Sequence, residues 1–97
     1  MEPIHSISEE ALRLTTIRQM LATLDTLTIA GQRHLMSKVV AFVSGQVERV
    51  VREGGRVNRR MLLDQLTLLK RESDRQLPSV STFSARADSL IALLTGL

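Results

Sequence analysis

Few side chains in this sequence could do covalent or acid–base chemistry. The only histidines, His5 and His34, stand far apart along the chain. There is no cysteine or tyrosine, and no HExxH, GxSxG, GxxxxGK[ST] or GxGxxG spacing. A lone histidine within a helix is ordinarily a surface or edge residue, and His34 is read that way rather than as a metal ligand. Glu9–Glu10 is a pair of acids at a helix start, where the macrodipole favours them, and not a catalytic dyad. Asp64 and Asp88 stand singly on mixed faces. The expectation is a protein with no catalytic residue, no cofactor and no bound metal, and therefore not an enzyme.

What the sequence does concentrate is charge. Residues 49–60 hold Arg49, Arg52, Arg56, Arg59 and Arg60 against Glu53, a local charge of +4 in a chain whose total is +3. Any attraction to an acidic partner should centre there. Three readings stay open. The cluster is a solvated face with Arg49–Glu53 as an i,i+4 pair. Or it holds double-stranded DNA by its phosphates, which needs clustered arginine and no aromatic residue. Or it docks on the acidic face of a protein. Only two phenylalanines occur, both on apolar stripes, and this argues against stacking on single-stranded nucleic acid.

The elements that must carry these residues are helical. The chain has 97 residues, enough for one small domain. Residues 1–7 read as a tail and 8–25 as a first helix. Ser6 and Glu9 form a capping box, with Ser8 as a second possible cap and Ile7 and Leu12 as a staple. Thr26 to Thr28 reads as a break, or a kink, because hydroxyls compete for backbone partners. A second helix spans 30–53, with Met36, Val40, Val43, Val47 and Val50 along one seam, widened by Val39 and Val51. Gly45 inside it is read as a point where two helices approach closely.

The arginine-flanked glycines then have a structural role. Gly54 or Gly55 ends the second helix in a left-handed conformation. Asn58 caps the next helix, with Val57 before it as staple to Leu62. Together, Gly54, Gly55, Val57 and Asn58 make a corner. A third helix over 59–74 carries Leu62, Leu66 and Leu69, with Met61, Leu63 and Leu68 beside them. That apolar excess predicts cover on two sides. Gln76 to Ser79 breaks this helix, since Pro78 biases Leu77 out of the helical region. A fourth helix over 80–95 lines up Phe83, Ala87, Leu90, Leu94 and Leu97.

The fold class is therefore all-α, a small bundle of three to four helices in a single domain over 1–97. The second and fourth helices offer more apolar surface than one short chain readily buries, so a homodimer is expected, with Met36, Val40, Val43, Val47 and Val50 as its interface. No apolar run approaches the roughly 20 residues of a membrane helix. The acidic opening MEPIHSISEE lacks the apolar core of a signal peptide, and the absence of cysteine suits a reducing cytoplasm.

The stretch GQVERVVREGGRVNRRMLLDQLTLLKRESD, followed by ADSLIALLTGL, resembles the AriR/YmgB family of small enterobacterial regulators, including its YcgZ-like members. Gly45 and Gln46, Gly54 or Gly55, Val57, Asn58, Leu62, Leu66 and the Leu90–Leu94 block carry the resemblance, over about residues 45–97. It implies an all-α homodimer with a fold like the Hha regulator. It also implies a role in biofilm formation and acid resistance, as a connector that binds a response regulator or other signalling protein of the Rcs phosphorelay. Non-specific DNA binding is implied as a second possibility. No catalytic residue comes with the family. A structural or toxin–antitoxin-type interaction module is a third class that the sequence leaves open.

Overall fold

A computed structural model of the chain describes residues 14–54 and 58–95. Four helices pack together, and no strand occurs among the described residues. Helix α1 is followed from residue 14 to residue 21. After a 3₁₀ turn at Leu24–Thr26 come α2 (Ile29–Glu53), α3 (Arg59–Asp74) and α4 (Val80–Thr95). Helices α2, α3 and α4 pack on one another, and α1 lies against α2 and α4.

Local chemistry sets the boundaries. The first helix stops at residue 21 rather than at the expected Asp25. There the hydroxyls of Thr23 and Thr26 donate to the carbonyls of Met20, at 2.8 Å, and Thr23, at 2.7 Å. Those bonds compete with helical propagation, while the tighter turn tucks Leu24 fully out of solvent. Thr28 caps α2 by accepting from the Gly31 N–H at 3.1 Å. Gln32 donates to the Leu24 carbonyl at 3.0 Å and ties the turn to the helix. Asn58 caps α3 by accepting from the Met61 N–H at 3.0 Å. Gly54 closes α2 at φ 79°, ψ −136°, where only glycine sits without strain. The conformation has positive φ, as the sequence suggests, but not the helical ψ of a common αL cap. The expected capping box at Ser6–Glu9 and the roles of Gly55, Arg56 and Val57 fall outside the described residues.

The core runs through all four helices. Leu14, Leu21 and Leu24 meet Met36, Val39, Val43 and Val47 of α2. Those residues in turn join Leu62, Leu66 and Leu69 of α3, and Phe83, Ala87, Leu90 and Ile91 of α4. Their buried location corrects the expected interface. Met36, Val43 and Val47 are 1%, 0% and 0% exposed within a single chain, so they cannot meet a partner's surface. Val40 and Val50 are half-buried at the edge of the same core. The heptad-like seam serves the fold because α3 and α4 together cover it.

Two further expectations are revised. Helix α3 is covered on one side: Leu62, Leu66 and Leu69 are buried, while Met61 and Leu63 remain 45% exposed. Gly45 is not a close approach within the chain, since a Cβ there would meet nothing within 4 Å.

These features set the order of mutational damage. Phe83→Ala empties a fully buried position at the centre of the bundle and should cost about 3–5 kcal/mol. Gly54→Ala should cost about 1–3 kcal/mol through backbone strain alone. Urea unfolding followed by circular dichroism measures both, and a Gly54→Ala variant as stable as the parent contradicts the positive-φ corner.

Candidate functional site

The corner between α2 and α3 carries three exposed arginines. Arg52, in the last turn of α2, and Arg59 and Arg60, in the first turn of α3, are all exposed. Arg49 differs. It is half-buried, and its Nε lies 3.9 Å from Glu53 Oε2 across one helical turn. That is the i,i+4 pairing expected for this residue on a solvated face. Arg59 reaches back over the corner: its Nη2 lies 3.7 Å from where a Gly54 Cβ would stand. A cation beside the last turn of α2 is favoured by the carbonyls exposed at that helix end. Arg56 belongs to the undescribed part of the corner.

Apolar surface interrupts this charge. Met61 and Leu63 are each 45% exposed, and both lie within one helical turn of the exposed Arg59 and Arg60. Leu63 stands four residues from Arg59 and three from Arg60, spacings that bring side chains together on a helix surface. The corner is therefore amphipathic rather than simply basic. The apolar excess of α3 was visible in the sequence, but which of its residues would stay uncovered was not.

The other chemically notable group lies at the opposite end of the bundle. Glu72, near the end of α3, is 6% exposed and is the one buried charged residue among those described. Its Oε2 accepts from the Ser79 N–H at 2.8 Å, and its Oε1 is 3.3 Å from Arg75 Nη1. Ser79 opens α4: its carbonyl accepts from the Phe83 N–H at 2.9 Å and its hydroxyl from the Thr82 N–H at 3.3 Å. The carboxylate thus latches the end of α3 to the start of α4. The Ser79 N–H bond holds its pKa below the usual carboxylate value, helped by Arg75 and Arg86, while burial works the other way. Arg33 donates to the Gln76 carbonyl and closes the same connection from the α2 side.

The remaining candidates serve the surface or the packing. His34 is exposed on α2. Asp64 is exposed on α3, and Asp88 accepts a 2.7 Å ion pair from Arg18, joining α4 to α1. Among the described residues no group of three or more histidines, cysteines or acids could hold a metal, and no helix is long and apolar enough to cross a membrane. An apolar groove of about 470 Å³ opens between α1 and α2, walled by Ile17, Met20, Leu35, Val39 and Phe42. No family model, curated protein or solved structure matches the chain.

Glu72 makes acid stability specific. A carboxyl whose pKa is depressed on folding stabilises the native state above its unfolded value, here 4.5, and that contribution is lost as pH falls through the folded value. The stability difference between the parent and Glu72→Gln should thus be largest at neutral pH and shrink below pH 4.5. Thermal melts of both proteins across that range check it; a difference that stays constant with pH would mean the charge does not act.

Proposed function

We propose that the chain is a non-enzymatic, cytoplasmic regulatory protein that acts by binding a signalling protein through the α2–α3 corner. The observation that carries this reading is the exposure of Met61 and Leu63 among Arg52, Arg59 and Arg60. A phosphate backbone offers nothing to an exposed methionine or leucine. A protein surface with an apolar spot rimmed by Asp and Glu offers both parts of the match. Apolar contact supplies affinity, and the charges steer approach and orient the complex. The resemblance of residues 45–97 to the AriR/YmgB connectors supports the same reading and suggests a response regulator, or another protein of a phosphorelay, as the partner.

The runner-up is a regulator that holds double-stranded DNA without sequence preference. The exposed Arg52, Arg59 and Arg60 favour it. If about six phosphates were neutralised, log affinity would fall with log salt at a slope of about −5.

Two double variants separate the readings. Arg59→Ala/Arg60→Ala removes charge, and Met61→Ser/Leu63→Ser removes apolar surface from exposed sites. Each should weaken capture of the partner from nuclease-treated native extract by roughly tenfold or more. The captured protein, identified by mass spectrometry, should be a signalling protein. Duplex DNA that binds at ~50 mM salt, loses affinity in the arginine variant and ignores the serine variant would instead establish the DNA reading.

A further inference from the structure

The groove between α1 and α2 is apolar along its walls and charged at one point. Ile17 and Met20 of α1 stand across it from Leu35, Val39 and Phe42 of α2. Leu35 and Val39 are buried in the core and give the groove a firm floor. Met20 is 39% exposed at its edge. The volume, about 470 Å³, lies within the range of small-molecule pockets. Among the described residues Lys38 is the one charged side chain that lines it. Lys38 is exposed and has no ion pair among those residues, so its charge is open to a ligand.

We propose that the groove binds a single-chain aliphatic carboxylate, with the hydrocarbon along the apolar walls and the carboxylate on the Lys38 ammonium. Charge argues for this ligand. A lone ammonium balances one negative charge and donates to a carboxylate oxygen through any of its N–H groups. A phosphate monoester carries about two negative charges at neutral pH and calls for more donors than one lysine supplies.

Size argues for it too. From Leu35 to Phe42 the groove follows α2 for about 10 Å, roughly two helical turns. An extended hydrocarbon chain, with C–C bonds of about 1.5 Å, advances about 1.3 Å per carbon, so about eight carbons fill that length. The helix of a protein partner is a poorer fit. Two turns of an α-helix, about 10 Å across, fill about 850 Å³, well above what the groove encloses. Burial of the chain supplies affinity, at about fourfold for each methylene taken out of water, and Lys38 fixes which end faces solvent.

Titration calorimetry with sodium hexanoate, octanoate, decanoate and dodecanoate, each below its micelle concentration, tests the site. Decanoate should bind with a Kd of about 100 μM. Each two-carbon step up to decanoate should tighten binding roughly tenfold, and the step to dodecanoate by less than about threefold, because the added carbons pass the end of the groove. Lys38→Glu alters an exposed residue and leaves the core intact. It should weaken decanoate roughly tenfold and let decyltrimethylammonium bind more tightly than it binds the parent. Carbon-13 methyl spectra of the methionines locate the ligand: decanoate should move the Met20 signal and leave that of Met61, at the arginine corner, in place. The proposal is overturned if decanoate shows no saturable binding at about 1 mM. It is equally overturned by a response at Met61 instead of Met20, or by a Lys38→Glu variant that binds decanoate as tightly as the parent.

Discussion

The structure depends on covering one stripe of α2. Met36, Val39, Val43 and Val47 are almost wholly removed from solvent, and each of the other helices contributes to that cover. The dependence runs both ways. A helix this rich in valine is not held by intrinsic propensity, because a β-branched side chain loses rotamer freedom against the preceding turn. Packing must supply the stability, and Leu69, Phe83, Leu90 and Ile91 supply it with fully or nearly fully buried surfaces. Those residues also pack against one another, since α3 and α4 are in direct contact. The bundle is thus one cooperative object built on the longest helix.

Polar groups act where the stripe ends. At the α2–α3 corner, a positive-φ glycine, an asparagine cap and Arg59 satisfy or complement the exposed backbone groups of two helix ends. At the other end, Glu72, Ser79 and Arg33 bind the connection between α3 and α4 from two sides. Glu72 is buried without being costly because its charge meets a backbone donor and an arginine, which is what a buried carboxylate requires. Ile29 and Leu77, 67% and 78% exposed, stand beside this latch and mark where apolar cover is incomplete.

Groups able to bind others lie outside the core, on surfaces that the chain leaves unfinished. The corner combines cationic and apolar side chains on one helix start. The groove between α1 and α2 combines apolar walls with the Lys38 ammonium. The two surfaces sit on different parts of the molecule.

Much of the fold was legible in the sequence. Asn58, Thr28, Pro78 and Gly54 punctuate the chain through their own backbone preferences, which neighbours far away in sequence do not alter. The ranges of α2, α3 and α4 accordingly lie within a residue of those read from periodicity. The concentration of arginine was likewise plain, being a matter of count. Only the tertiary structure could decide which apolar face belongs inside. A stripe of valines looks the same whether α3 and α4 cover it or a second chain does, because periodicity reports that a face is buried and not by what. For the same reason Gly45 read as a contact point when its surroundings within the chain are empty. Met61 and Leu63 likewise read as core when the bundle leaves them at the surface. Burial is set by the sum of distant neighbours, and that sum exists only once the chain has folded.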